Sequence, residues 1–302
     1  MKKAVAVFLG CVLLAGLFVG GAAAAEKHKV YLITMDQMDQ HWVTVNAGAE
    51  KAVAELGTID YKWLAPDVKD DAKQIEAVNN AVAGGAEVLL VAANGPTAIS
   101  AALKEASEAG VKIVYVDSPA DFPAIQTLAT DNEAAGVTAG KEMLKALEAA
   151  GVAEGKIGIV NVNAATASTV AREKGFRAAF EGTKFELLET QYCDGDAARA
   201  KDIASNYITQ GCVGIFGANE GSTVGTGNAS QEAGGKVVGV GFDKSNRRLS
   251  LIKNGFLVAT MAQNPDVMGY EGVKTAAKAL AGEPTGAEYV DTGVSVLTKN
   301  DL

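Results

Sequence analysis

The sequence predicts an α/β protein of two similar lobes, each a parallel β-sheet with helices on both faces, and a ligand cleft between them. Three observations carry that prediction. From Lys29 onward, short β-branched runs alternate with amphipathic helical runs, the pattern of strands joined by crossover helices. The strand runs are near-continuously apolar, as strands buried on both faces are. Finally, one unit is written twice: GGAEVLLVAANGPTAIS (84–100) aligns with TQGCVGIFGANEGSTVG (209–225), and EAGVKIVYVDS (108–118) with EAGGKVVGVGFDK (232–244). This places Asn94 opposite Asn219 and Asp117 near Asp243, about 125 residues apart.

The predicted strands are VYLITM (30–35), YKWLA (61–65), EVLLVAA (87–93), KIVYVD (112–117), KIGIVNV (156–162), FELLETQ (185–191), VGIFGA (213–218) and KVVGVGF (236–242), and a further strand closes at Gln263 after LVATMAQ. Helical spacing falls on NAGAEKAVAELG (46–57), AKQIEAVNNAVAGG (72–85), PTAISAALKEASEAG (96–110), VAREKGFRAAFEG (170–182) and DAARAKDIASNYI (196–208). Apolar residues recur there at three and four, and glycine ends several runs.

Ahead of the fold, Lys2 and Lys3 precede an apolar run that ends in small residues, with Ala23 and Ala25 at the positions a signal peptidase reads. Residues 1–25 are therefore predicted to be a secretory signal peptide, leaving 277 of 302 residues. The whole chain carries 27 Lys+Arg and 36 Asp+Glu, a net charge of −9. The mature charge is −11, because the leader holds two lysines and no acid. No basic face for phosphates is expected, which excludes a nucleic-acid partner. Cys193 and Cys212 lie at opposite ends of a predicted crossover helix. About 13 helical residues span roughly 20 Å, too far for a disulfide, so both are expected as free thiols.

In open α/β sheets ligands bind beyond the carboxyl ends of the strands. The polar residues there are Asp36, Asp39, His41 and Trp42 after the first strand, Asn94 after the third, and Asp117 and Ser118 after the fourth. The second lobe adds Asn163, Arg172, Asn219, Phe242 and Asp243, and Gln263 ends the further strand. Carboxylates that each accept from two neighbouring hydroxyls, planar Arg, Asn and Gln groups and a flat indole suit a small polyhydroxylated ligand. Several of these residues have second readings: Asp36, Asp39, Asn94 and Asn219 as helix caps, Trp42 and Phe242 as core, Arg172 as a surface helix residue, Gln263 as a hinge. Arg247 and Arg248 read as solvated surface. With only His28 and His41, and no HExxH, serine triad or phosphate-loop spacing, no enzyme activity, catalytic residue, metal or cofactor is expected.

In their order along the chain, DQHWVTVNAGAEKA (39–52), TDNEAAG (130–136), AREKGFRAAF (171–180), FGANE (216–220), VGFD (240–243) and VATMAQNPDVMGYEGVKTAAKAL (258–280) resemble the periplasmic ribose/galactose-type sugar-binding proteins, soluble receptors of sugar ABC transporters. The resemblance implies a type I periplasmic binding fold of two Rossmann-like lobes joined by three crossing strands. The crossings would fall near Thr130–Asp131, Gln263–Asn264 and Asp291–Thr292. One lobe would then hold residues 26–131 and 264–291, the other 132–263 and 292–302. It also implies Asp117, Arg172, Asn219, Asp243 and Gln263 as hydroxyl-binding residues. Asp39 stands where the ribose pattern has Asn and Trp42 where it has an aromatic; His41, Ser118 and Gly195 replace an aromatic, an Arg and a stacking aromatic. The implied ligand is thus a small sugar other than ribose, a sugar alcohol or a cyclitol. The implied partner is an ABC transporter permease, with a chemoreceptor as a further one, and the implied state a monomer in the periplasm, or outside the cell if the host lacks an outer membrane. Two rival readings are a sugar-responsive transcription regulator, which would need a basic helix-turn-helix head, and a receptor for a small hydroxylated chemotaxis or quorum signal.

Overall fold

The computed structural model describes residues 27–302; the expected signal peptide lies outside them. The chain runs β1 (His28–Ile33), α1 (Gln40–Leu56), β2 (Ile59–Leu64), α2 (Asp71–Ala83), β3 (Val88–Val91), α3 (Pro96–Glu108), β4 (Lys112–Val116) and β5 (Gln126–Ala129). A second series follows: α4 (Asn132–Ala149), β6 (Gly155–Asn161), α5 (Ala167–Ala179), β7 (Phe185–Leu187), β8 (Gln191–Tyr192), α6 (Ala197–Thr209), β9 (Cys212–Gly217), α7 (Glu220–Glu232), β10 (Val238–Phe242), α8 (Asn246–Lys253) and β11 (Ala259–Gln263). The chain ends with α9 (Pro265–Leu280), β12 (Tyr289–Asp291), β13 (Val294–Thr298) and one turn of 3-10 helix.

Two sheets result, ordered β12-β5-β4-β3-β1-β2 and β13-β11-β10-β9-β6-β7. The repeat seen in the sequence is a repeat of topology: β3 and β9 hold the same place in their sheets, as do β4 and β10. The chain leaves the first sheet after β5, returns to it through α9 after β11, and crosses again between β12 and β13.

Period-two side-chain direction explains why both faces of each strand are apolar. Val30 and Leu32 pack with Val45, Ala49, Met268 and Val273 of α1 and α9, whereas Tyr31 and Ile33 pack with Val78, Ala81, Ile99 and Leu103 of α2 and α3. The second lobe does the same. Its α4 and α5 enclose one apolar cluster around Met143, Phe176 and Phe216, and α6 and α7 another around Ala200, Tyr207 and Ile215. The α4–α5 crossing is close enough to require glycine: a Cβ on Gly136 would sit 2.1 Å from the Arg172 carbonyl oxygen, and one on Gly175 2.0 Å from that of Glu133.

Three features depart from the sequence reading. The second sheet is not wholly parallel, since β13 pairs antiparallel with β11. Only Thr292 and Gly293 separate β12 from β13, so β13 starts at the hinge where β11 ends and must run back along it. The run 185–191 is broken into β7 and β8, because the Tyr207 hydroxyl inserts between them and donates to the Ile159 and Glu189 carbonyls. Short strands β5 and β12 were not anticipated. Cys193 and Cys212 are buried free thiols, as expected, and burial pushes each up to about 11.

Candidate functional site

The strand ends aim at the space between the lobes, and matched positions of the repeat deliver the key carboxylates. Asp117 follows β4 and Asp243 follows β10. Both adopt left-handed backbone, φ 63° and 75°, a conformation few residues other than glycine, asparagine and aspartate tolerate and one that clusters at functional sites. Asp117 is anchored by its own N–H to the Leu128 carbonyl, and Asp243 likewise to that of Met261. The strained turn is thus pinned identically in each lobe.

Between the two carboxylates lies His41, on the first turn of α1. Its Nε2 is 2.9 Å from Asp117 Oδ2 and its Nδ1 3.5 Å from Asp243 Oδ1. The Nε2 contact is close but off the ring N–H direction, so it is an ion pair rather than an aligned hydrogen bond. Burial opposes the charged ring, but the charges of Asp117, Asp243 and Asp39 outweigh it and hold the imidazole above its ordinary value. Burial likewise opposes the Asp117 anion, and His41 and Arg172 hold it below the usual carboxylate range. At Asp243 burial prevails over the same two cations, and its carboxyl is raised.

Arg172 is held by two hydrogen bonds and an aromatic face. Its Nε–H donates to Asn132 Oδ1 at 2.7 Å, its Nη1–H to the Ala218 carbonyl at 3.1 Å, and its guanidinium lies 4.4 Å over the Phe242 ring. That leaves Nη2, 3.8 Å from Asp117 Oδ2 and without a hydrogen-bond partner, beside the chamber. Asn219 caps α7, its Oδ1 accepting from the Ser222 N–H and hydroxyl, so its Nδ2 remains as a donor. Gln263 is both wall and hinge: Oε1 accepts from Thr130 Oγ1 at 2.9 Å and Nε2 donates to Asp243 Oδ1. Asp39 caps α1 through the His41 N–H at 3.0 Å. Trp42 belongs to the first-lobe core and lines the chamber, its ring edge-on to His41 at 4.7 Å.

The structure therefore brings Asp39, His41, Trp42, Asp117, Arg172, Asn219, Asp243 and Gln263 around one chamber of about 20 Å³, the space of a single water. An open groove of about 1240 Å³ shares Asp39, His41, Asp243 and Gln263 with it and has Asp36 on its wall. Asn94, Ser118, Asn163 and Phe242 lie off both. Asn94 Nδ2 is taken by Asp71, and Asn163 Oδ1 by the N–H groups of Ala165 and Thr166. Ser118 Oγ accepts from the Ser168 N–H across the cleft, and Phe242 is buried beneath Arg172. The lobes are shut along that edge, since the Thr166 hydroxyl also donates to the Asn94 carbonyl at 2.7 Å.

Two buried charges escaped the sequence reading. Lys69, from the loop after β2, has a buried side chain that pairs with Asp36 and, at 3.7 Å, with Asp39. Burial opposes its ammonium, and Asp39 and Asp36 outweigh that and hold it above its ordinary value. The strand-end rule, applied to β2 as to its neighbours, would have found it. Arg248 is not solvated surface. It lies on the inward face of the unanticipated α8, fully buried and paired with Glu220, and burial lowers it to about 9.

The sequence matches the periplasmic binding protein domain over residues 30–284. The chain belongs to the periplasmic binding protein family. Among curated relatives, the ribose import binding proteins of Haemophilus influenzae and Escherichia coli are 30% and 31% identical to it. The first alignment covers 95% of this chain and 97% of the relative, the second 89% and 90%. A carbohydrate transporter solute-binding protein from Agrobacterium radiobacter, solved with D-arabinose, superimposes with a TM-score of 0.88 at 30% identity, over 92% of this chain and 96% of that one. In this periplasmic binding protein both strained aspartates reach the interlobe chamber, whereas of the two matched asparagines only Asn219 does.

Proposed function

We propose that this protein is the solute-binding component of a sugar ABC importer. It is exported through residues 1–25, works in the periplasm as a monomer, captures a small sugar, sugar alcohol or cyclitol between its lobes, and delivers it to a membrane permease. The observation that carries this reading is the convergence of Asp117 and Asp243, one carboxylate from each lobe on matched strained turns, upon a chamber with the unspent Nη2 of Arg172. A carboxylate accepts two hydroxyl donors, and the guanidinium and the Asn219 amide donate to hydroxyl oxygens. A ligand bridging both lobes makes its full set of bonds only when they close, so it favours the closed arrangement by its differential affinity. Three or four charge-assisted hydrogen bonds at about 1.5–3 kcal/mol each reach the roughly 8 kcal/mol of micromolar binding.

Mass spectrometry of the solute carried through gentle purification and released by denaturation tests this. A neutral polyhydroxylated compound is the expected result; a nucleotide or an amino acid would overturn it.

A further inference from the structure

The groups around His41 fix its role. Asp117 approaches from β4, Asp243 from β10 and Asp39 from the cap of its own helix. Arg172 of α5 stands behind Asp117, Lys69 after β2 beside Asp39, and Gln263 of β11 beside Asp243. Each ring nitrogen thus faces a carboxylate oxygen. A neutral imidazole would set an unprotonated ring nitrogen beside one carboxylate, whereas an imidazolium sets positive charge beside both. Neither N–H is consumed by an aligned hydrogen bond, so the ring keeps its donors for an occupant of the chamber. Asp117 and Asp243 also belong to different lobes, so this contact pair exists only while the lobes are together.

We infer that His41, held as an imidazolium between one carboxylate of each lobe, is a specificity-determining donor of the site and couples lobe closure to proton uptake. The inference rests on the solute-binding reading and adds the selecting residue and its control. The selected ligand offers acceptor oxygens to the imidazolium and hydroxyl donors to the two carboxylates. A group that gains its cation-stabilising partner on closure has a higher pKa closed than open. Closure therefore has its full support below the open-state midpoint and loses it as pH rises through the closed-state midpoint, by up to tenfold per pH unit between the two. A site with an uncharged aromatic in place of His41 would show no such dependence.

The imidazole ¹⁵N shifts of the full chain, titrated from pH 5 to 9, decide the matter without any ligand. Only His28 and His41 contribute, and His28→Gln separates them. The expected result is a His41 midpoint above 6.5 that falls by at least half a unit in Asp117→Asn and, independently, in Asp243→Asn. A midpoint at or below 6.5 in the parent would overturn the inference. So would a folded Asp243→Asn variant with the parent's midpoint, since the opposite lobe would then be uninvolved. Failure of D-ribose, D-arabinose and myo-inositol to bind, with the midpoint still raised and sensitive to Asp243, would overturn the solute-binding reading and His41 as its selecting donor, and leave the proton coupling of closure standing.

Discussion

Replacing Arg172 by alanine removes hydrogen bonds to Asn132 and the Ala218 carbonyl and the cation over Phe242, and leaves Asp117 with His41 as its one close cation. Breaking a buried charge pair from one side costs about 3–5 kcal/mol. Against a stability of about 5–15 kcal/mol, Arg172→Ala should stay folded with a clearly lowered melting temperature. The ligand loses one charge-assisted bond from Nη2, worth about 1.5–3 kcal/mol, which at 1.36 kcal/mol per decade is roughly a 10- to 150-fold rise in Kd. Arg172→Lys keeps the charge but loses the fork that holds Asn132 and Ala218 together, so it should fall between. Calorimetric titration with the co-purified solute, beside thermal unfolding of the same samples, measures both. A folded Arg172→Ala protein binding within threefold of the parent would refute the placement of Arg172 at the ligand.

The α4–α5 crossing predicts a second outcome. Gly175→Ala forces a Cβ against the Glu133 carbonyl and should cost about 1–3 kcal/mol or more, whereas Gly182→Ala meets no atom within 4 Å and carries only its left-handed backbone, φ 75°, at about 1–2 kcal/mol. Thermal unfolding that ranks Gly182→Ala as the more damaging would contradict the packing. At acid pH, Asp117 has a folded pKa below its ordinary 3.8. Its stabilisation is therefore complete above that value and lost as pH falls through the folded pKa. Denaturant unfolding between pH 5 and 2 should weaken more steeply for the parent than for Asp117→Asn, by up to about 1.4 kcal/mol per pH unit. Parallel curves would refute the pairing.

The repeat made much of the molecule readable. Two copies of strand, Ala-Asn, helix, strand and aspartate become β3–α3–β4 and β9–α7–β10 at equivalent places in two sheets, and the strand-end rule found both strained aspartates, Asn219 and Gln263. It could not tell Asn219 from Asn94. The two occupy the same place in the repeat, but Asp71, twenty-three positions earlier, takes the Asn94 amide, while Ser222 takes the Asn219 oxygen. Burial of a charge is equally invisible locally. Lys69 and Arg248 are carried inside by carboxylates distant in sequence, at Asp36 and Glu220. Of the strands that were missed, β12 and β13 lie at sheet edges and are only partly buried, and with β5 between β12 and β4 they take their places from the crossings rather than from a continuous apolar run.

The most direct measurement is calorimetric titration of protein stripped of its solute against pentoses, hexoses, sugar alcohols and cyclitols at pH 7, with amino acids and nucleosides as counter-ligands. One polyhydroxylated class should bind one-to-one with micromolar or tighter Kd, about 8 kcal/mol, and that binding should be lost in Asp243→Asn. Binding of an amino acid or nucleoside in place of every sugar and polyol, or full affinity in Asp243→Asn, would contradict the account.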